Sequence, residues 1–311
     1  MSRMKQQNNL KGSLILGFAA LLWGLAFVAQ SSAADRVPSF IFNSLRSFIG
    51  AAFLFVLLCI VKKRAGEPVF PKSPPSRKNA LIGGILCGVL LTVSVNLQQF
   101  GLAFYPDGVA SEARGGFLTA LYVILVPIFS FFFGKRIKLP ILAAVAIATV
   151  GIYLLCLSGG FEGIYLGDLL IFLCAVSFSF HIMAIDRYAD PVGGILLSML
   201  QFLVCGVLSG LLSLCTEEIV WSNILSAAPQ ILYLGIVSSG IAYTLQIIGQ
   251  KYAEPAVASL SMSLESVFAA LGGWLISGNG LSPREFFGCA MVFLAIVLAQ
   301  LPAILHKKQS I

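Results

Sequence analysis

Long apolar runs separated by short polar segments make up almost the whole chain. A helix needs roughly 20 apolar residues to cross a hydrocarbon core of about 30 Å, and each of these runs is about that long. There are ten of them, at residues 12–34, 39–61, 79–103, 108–133, 139–157, 166–186, 192–214, 229–250, 255–277 and 283–305. The pattern therefore predicts an all-α integral membrane protein with ten transmembrane helices, referred to below as helices one to ten.

Composition supports this prediction and argues against a soluble protein. The 311 residues are 58% apolar and only 11% charged, whereas soluble domains have roughly 25% charged residues. The longest charged stretch between two runs, from Lys62 to Lys78, is too short to fold as a domain. A substantial soluble catalytic module is therefore excluded, and the lipid bilayer is the expected surrounding of the protein.

The basic residues are distributed unevenly between the two sides of the predicted membrane. All but four of the 20 Lys and Arg residues lie in the terminal tails and in alternate loops on one side. Arg36 and Arg284 lie on the other side, and Arg46 and Arg114 lie within spans. By the positive-inside rule, both termini are predicted to be cytoplasmic, in a bacterial cytoplasmic membrane. Orientation also explains the net charge of +7, and no nucleic-acid partner is predicted.

The two halves of the chain resemble each other weakly but in the same order. Two pairs of segments align at an offset of 155, beginning Gly12 with Gly167 and Ser44-Leu-Arg46 with Met199-Leu-Gln201. At an offset of 148, the segment from Asn96 to Gly101 aligns with the segment from Thr244 to Gly249. Chance similarity among apolar helices is the alternative explanation. We predict two five-helix repeats, residues 1–158 and 159–311.

An odd number of helices in each repeat has a consequence for orientation. The second copy must enter the membrane from the opposite side, so the two repeats are predicted to be inverted. Inverted repeats place a solute site near the midplane between the halves and allow two related conformations, each open to one side. The repeat therefore predicts transport by alternating access.

Four features carry a family resemblance that covers nearly the whole chain. They are Trp23-Gly24 in helix one, Arg46 in helix two, the segment from Gly116 to Pro127 in helix four, and the segment from Leu264 to Trp274 in helix nine. Their order and spacing within a ten-helix frame resemble the EamA branch of the drug/metabolite transporter superfamily. The resemblance implies two five-helix bundles around a central cavity, and a role that is often the export of amino acids or other metabolites.

Some positions depart from the pattern of that family. Ser266 stands where proline is frequent, and the segment from Ser277 to Gly280 lacks the usual acidic residue at the end of helix nine. Glu112 and Arg114 stand where relatives usually have small neutral residues. The last difference points to a different substrate.

Ionisable residues within spans are the first candidates for a functional site, because a charge near a helix centre costs about 2.5–3.5 kcal/mol on insertion scales. Glu265 lies roughly 15 Å into helix nine at 1.5 Å per residue, close to the midplane. Its neighbours at helical spacing are mostly small residues. We interpret Glu265 as a solute-binding, proton-coupling or gating residue, and a structural hydrogen bond is the alternative.

Three further charges lie in the outer halves of helices two and four. A spacing of two residues puts Glu112 and Arg114 on opposite faces of helix four, so they cannot pair with each other. Arg46 is therefore the predicted partner of Glu112. Arg114 either contributes to the site or extends to the outer membrane interface.

Uncharged polar and aromatic residues complete the predicted site. Helix three has a stripe of Gly88, Thr92, Asn96 and Gln99, and helix eight has a stripe of Ser239, Tyr243, Gln246 and Gln250. Matched stripes are typical of a shared wet cavity, and hydrogen bonding between helices is an equally compatible reading. Trp23 and Tyr122 either stack on an apolar or aromatic solute or pack between helices.

Together these features predict a proton-coupled or facilitative secondary transporter. Its expected substrate is a small amphipathic metabolite, an amino acid or a drug-like compound, and its expected direction is export. No cofactor and no metal are predicted. The alternatives are a membrane-embedded enzyme and a non-transporting scaffold or sensor. The enzyme is disfavoured because the sequence has no His-Glu-x-x-His zinc motif, Gly-x-Ser-x-Gly elbow or lysine-containing phosphate loop.

The predicted topology can be tested with reporter fusions. Five spans precede Glu162, so we expect alkaline phosphatase fused after this residue to be active in the periplasm. Green fluorescent protein fused to the C-terminus is expected to fluoresce in the cytoplasm. A cytoplasmic reporter after Glu162 would contradict the five-helix repeat.

Overall fold

The computed structural model describes residues 9–34, 36–106, 111–156, 164–277 and 282–308, and within these ranges it contains helices and no strand. A helix occupies each of the ten predicted runs. The helices are α1 (Asn9–Ala34), α2 (Ser39–Ala65), α3 (Pro74–Ala103), α4a (Ser111–Ala120), α4b (Tyr122–Phe132), α5 (Leu139–Cys156), α6 (Leu166–Val192), α7 (Gly194–Thr216), α8 (Ala228–Gln250), α9a (Pro255–Met262), α9b (Leu264–Ser277) and α10 (Pro283–Lys308). A short helix, Trp221–Ser226, precedes α8.

Seven of the described helices are long and apolar enough to cross a membrane. Among the others, α5 has a shorter apolar stretch, Leu139–Leu154, and the ninth predicted run is divided into pieces of 8 and 14 residues. The prediction of an all-α, multi-pass membrane protein is confirmed. Ten spans in two inverted repeats stay a prediction.

The sixth helix is longer than predicted. It extends past residue 186 to Val192 and includes Pro191 in its last turn. Gly193 then separates α6 from α7, with a φ of 91° that glycine adopts without steric strain. A single residue therefore connects these two helices.

The main packing pairs link helices of the first half to helices of the second. Helix α3 packs against α6 and α7, and α8 packs against α1 and α2. Likewise α4 packs against α6, and α9 packs against α1. The remaining large pairs are α2 with α7, α4b with α9a, and α5 with α10. If each helix is replaced by its equivalent in the other half, α1 by α6, α2 by α7 and so on, the same set of pairs results. The pair of α3 with α6, for example, becomes the pair of α8 with α1.

Two glycine pairs form close backbone crossings. A Cβ atom on Gly101 would lie 3.1 Å from the carbonyl oxygen of Gly167, and one on Gly167 would lie 2.6 Å from that of Gly101. Between α1 and α8, a Cβ on Gly12 would lie 3.0 Å from the Gly249 oxygen, and one on Gly249 would lie 3.2 Å from the Gly12 oxygen. Small residues of this kind let helices in a membrane approach closely. These four glycines are the ones that the internal repeat aligns with each other.

The apolar core consists of several clusters. The largest includes Val126 and Val257 and joins α4, α5, α9 and α10. A second cluster includes Leu91 and Phe202 and joins α2, α3 and α7. Trp23 of α1 packs against both, so it lies where the two clusters meet.

The crossing of α3 and α6 can be tested by adding one methyl group. Gly101→Ala would bring a Cβ within 2.4 Å of Ile171 Cγ1, so we expect a loss of about 1–3 kcal/mol from overpacking. A Cβ on Gly116 of α4a would have no neighbour within 4 Å. The control Gly116→Ala is therefore expected to unfold at or above the wild-type temperature in detergent. Equal effects of the two substitutions would contradict the close crossing.

Candidate functional site

A cavity lies between seven of the helices, of which α1 to α4 belong to the first half of the chain and α6, α8 and α9 to the second. Its wall combines charged, polar, aromatic and apolar side chains. The lining residues are Trp23, Ala26, Gln30, Arg46, Gln98, Thr119, Tyr122, Phe178, Ile182, Ser238, Tyr243, Gln246, Met262 and Glu265. The cavity therefore brings together residues from both predicted repeats.

A hydrogen bond across the cavity wall joins the fourth helix to the ninth. The hydroxyl of Tyr122 donates to Oε1 of Glu265 at 2.8 Å. Both side chains are buried. The carboxyl group of Glu265 therefore has a fixed partner from the other half of the chain.

Helices α4 and α9 depart from α geometry next to this bond. Leu121, with φ −59° and ψ −13°, separates α4a from α4b, and Ser263, with φ −63° and ψ −12°, separates α9a from α9b. The carbonyl oxygen of each accepts an N–H bond from three residues later, at 2.9 Å and 3.2 Å. Such 3₁₀-type turns in the middle of a helix often mark a hinge. Tyr122 lies one residue after Leu121 and Glu265 two residues after Ser263, so each partner of the hydrogen bond lies within a tightened turn.

Tyr243 forms the centre of an aromatic wall. Its ring lies edge-on to Trp23 with centroids 4.8 Å apart, and edge-on to Phe202 at 5.1 Å. Arg46 and Glu265 line the same cavity as Tyr243. The aromatic wall therefore shares the cavity with one basic and one acidic side chain.

Two polar atoms of the cavity residues are left without a hydrogen bond. Nε1 of Trp23 and Oε1 of Gln246 are buried, and neither has a partner within the part of the chain that the structure describes. Leaving a buried donor or acceptor unpaired costs about 1–3 kcal/mol. A polar solute has the groups that these atoms lack, an acceptor for Nε1 and a donor for Oε1.

Three of the cavity residues that the sequence did not predict are joined by hydrogen bonds. Nε2 of Gln30 donates to Oε1 of Gln98 at 3.3 Å, and Nε2 of Gln98 donates to Oγ1 of Thr119 at 3.2 Å. This chain connects α1, α3 and α4a. The internal repeat aligns Gln98 with Gln246, a predicted site residue, so this alignment could have identified Gln98 as a cavity residue. The polar stripe on helix three instead indicated Gln99, the next residue in the sequence.

Asn96 and Gln99 are not among the residues that line the cavity. Asn96 accepts a hydrogen bond from Asn43 at 2.9 Å and donates one to Ser209 at 2.9 Å, which joins α3 to α2 and α7. Gln99 is fully buried, and its amide atoms have no partner among the described residues. Asn96 therefore forms hydrogen bonds between helices, which was the alternative interpretation of the polar stripe.

The predicted charges of helix four are only partly described. Glu112 and Arg114 lie in α4a, but their side chains lie outside the described part of the structure. The Arg46 guanidinium faces the Phe42 ring, with 5.9 Å from Cζ to the ring centroid. The pairing of Arg46 with Glu112 stays a prediction.

Possible metal ligands are dispersed. Within the described ranges, no three or more His, Cys, Asp or Glu side chains cluster in a way that could hold a metal ion. The buried His181 lies 3.0 Å from Oε1 of Gln201 through Nε2. Asp186 forms an ion pair with Lys135 at 2.6 Å. These groups therefore have protein partners.

The fold and the cavity define a class, the multi-pass helical membrane proteins that enclose a polar site among their helices. A family model described as the EamA-like transporter family matches residues 10–157 and 165–301. The chain belongs to the EamA-like transporter family, and the resemblance drawn from its sequence is confirmed. It is accordingly a membrane transporter.

Relatives with similar sequences carry transporter names. An uncharacterized transporter of Archaeoglobus fulgidus is 27% identical over 97% of this chain and 91% of its own length. The uncharacterized inner membrane transporter YedA of Escherichia coli is 24% identical over 96% of this chain and 93% of its own. A crystal structure at 24% identity, covering 94% of this chain and 97% of its own, has the same fold with a TM-score of 0.74.

The bond between Tyr122 and Glu265 can be measured with a double-mutant cycle. Tyr122→Phe and Glu265→Ala each remove the same hydrogen bond, so we expect their effects on the free energy of unfolding to be non-additive by about 1 kcal/mol. Tyr153→Phe is the matched control, because Tyr153 lies on α5 with an exposed ring. Its effect should add to that of Glu265→Ala. Additive effects for Tyr122 as well would contradict a direct bond.

Proposed function

We propose that the protein moves a small amphipathic metabolite across the bacterial cytoplasmic membrane by alternating access, in the direction of export. The observation that carries this proposal is the cavity, where Glu265, Arg46 and unpaired polar atoms meet between the two halves of the chain. Ionisable groups within a membrane are expensive and usually functional. A transporter uses them to hold solute or protons at mid-depth.

An inverted repeat supports the alternating mechanism. The main helix pairs are unchanged when the two halves are exchanged, as two repeats related by a two-fold axis require. The glycine crossing of α3 with α6 likewise has its equivalent in the glycine crossing of α8 with α1. With five spans in each half, the repeats have opposite orientation and the two termini are cytoplasmic. Each half can then open the cavity to one side in turn.

The chemistry of the cavity favours a zwitterionic solute with an apolar part. Arg46 suits a carboxylate, since guanidinium and carboxylate form strong charge-assisted hydrogen bonds. Glu265 suits an ammonium group or a proton, and the rings of Trp23 and Tyr243 suit an apolar side chain. All the space free of protein atoms in the cavity, including its open part, is about 580 Å³. A small molecule such as an amino acid is compatible with a space of this size.

Glu265 connects the solute to the helices. A carboxyl group in a membrane-embedded cavity can exchange a proton as the cavity opens to either side. Gain or loss of that proton alters the hydrogen bond from Tyr122, and this bond links α4 to α9 beside their tightened turns. Protonation and the relative position of the two helices are therefore coupled. We propose that the coupling makes Glu265 the gate of a proton-linked cycle.

Glu265→Gln tests this role, because glutamine retains size and hydrogen bonding without titrating. Purified protein in liposomes is loaded with a mixture of amino acids, and efflux is followed for each amino acid with and without a pH gradient. We expect the variant to retain exchange of solute down its own gradient and to lose acceleration by the pH gradient. Glu67→Gln is the matched control, since the exposed Glu67 lies in a loop and pairs with Lys62.

Two outcomes would contradict the proposal. Gradient-driven efflux that survives in Glu265→Gln would reduce Glu265 to a structural hydrogen bond. Absence of flux for every amino acid and drug-like compound in the wild-type protein would instead favour a scaffold or sensor.

A further inference from the structure

Helices α3 and α8 can be compared at equivalent crossing points. A Cβ on Gly88 would lie 3.0 Å from the carbonyl oxygen of Gln201, and a Cβ on Gly235 would lie 3.1 Å from that of Arg46. The internal repeat aligns Arg46 with Gln201. Gly88 of α3 and Gly235 of α8 are therefore equivalent positions in the two halves.

The second pair of equivalent glycines shows a difference in length. Gly101 and Gly249 make the reciprocal crossings with α6 and α1. The chain numbering places Gly101 13 residues after Gly88, and Gly249 14 residues after Gly235. Helix α8 therefore has one residue more than α3 between the same two crossings.

A π-helical segment accommodates the extra residue. Leu234–Ala242 of α8 is π-helical, whereas Pro74–Ala103 of α3 is α-helical throughout. Within α8 the N–H of Tyr243 donates to the carbonyl oxygen of Ser238, five residues earlier. A π segment is a wide turn inside an α-helix and is frequent at functional sites.

The wide turn decides which of two neighbouring serines faces the cavity. In an α-helix, Ser239 would share a face with Tyr243, four residues later, and Ser238 would be turned away from it by about 140°. In the structure Ser238 lines the cavity together with Tyr243. Ser239 faces α2 instead. A Cβ atom added to Gly50 of α2 would lie 2.9 Å from the Cβ atom of Ser239. The predicted polar stripe of helix eight contained Ser239, but the residue that lines the cavity is its neighbour Ser238.

We propose that Ser238 is a solute-binding residue and that the π segment of α8 is the device that presents it. The proposal rests on the proposed function, since it takes the cavity as the solute site. A serine hydroxyl can both donate and accept a hydrogen bond, so it suits a polar group of the solute held beside Tyr243. The register of the Gly88 and Gly235 crossings pairs Ser238 with Leu91 of α3, which is buried in the apolar core. At this pair of equivalent positions, the second half of the chain has a hydroxyl group and the first half has an apolar side chain.

Thiol accessibility tests the register without knowledge of the substrate. Ser238→Cys and Ser239→Cys are prepared in full-length protein whose seven native cysteines are replaced. Each is treated with the cationic reagent methanethiosulfonate ethyltrimethylammonium. Because reactivity follows thiol exposure, we expect the thiol at position 238 to react about tenfold faster or more. Equal rates, or a faster reaction at position 239, would overturn the proposal.

Transport by serine variants tests the contact with solute. Removing one hydrogen bond is expected to raise the KM for the amino acid with the fastest efflux about 3- to 10-fold in Ser238→Ala. Ser238→Thr keeps the hydroxyl and should retain most of the affinity, and Ser239→Ala should leave KM unchanged. Unchanged KM in Ser238→Ala would overturn the role of Ser238. If no amino acid is transported by the wild type but position 238 still reacts faster, the π register stands and the proposed function fails.

Discussion

The absence of water in the hydrocarbon core of a membrane is the constraint on which this arrangement depends. Polar groups buried at that depth need partners within the protein. Asn43, Asn96 and Ser209 form a network that joins α2, α3 and α7, in which Oδ1 of Asn43 has no partner among the described residues. Trp23 Nε1 and Gln246 Oε1, on residues that line the cavity, and the amide atoms of Gln99 also have no partner there. The network holds helices together, whereas Trp23 and Gln246 belong to the wall of the candidate site.

The two halves share a backbone frame but differ in their side chains. Gln98 and Gln246 are aligned by the repeat and both line the cavity. Arg46 also lines it, whereas the aligned Gln201 is bonded to a buried histidine instead. The basic group is therefore supplied by one half, and the carboxyl group of Glu265 by the other. In the proposed cycle, a symmetric frame would allow alternation between two open states, and an asymmetric lining would give the solute a defined orientation.

Much of this organisation was predictable because apolar runs and buried charges have strong physical signatures. The runs identified the helices, and the need to explain a carboxyl group near the midplane singled out Glu265, which lines the cavity. The sequence-based expectations and the structure differ where the backbone departs from α geometry or where neighbouring polar residues compete. Gln99 was favoured over Gln98 because a stripe was followed without the repeat alignment. The choice between Ser238 and Ser239 depends on a π turn that hydrophobic periodicity does not reveal.

Access to the cavity from both sides of the membrane is the most direct test of the account. Ala26 lines the cavity, so Ala26→Cys in protein lacking native cysteines reports on its openness. In right-side-out and inverted vesicles, a membrane-impermeant maleimide is predicted to label this thiol from either side, and a transported amino acid should slow both reactions. Labelling from one side only, under every solute and pH gradient, would contradict alternating access through this cavity.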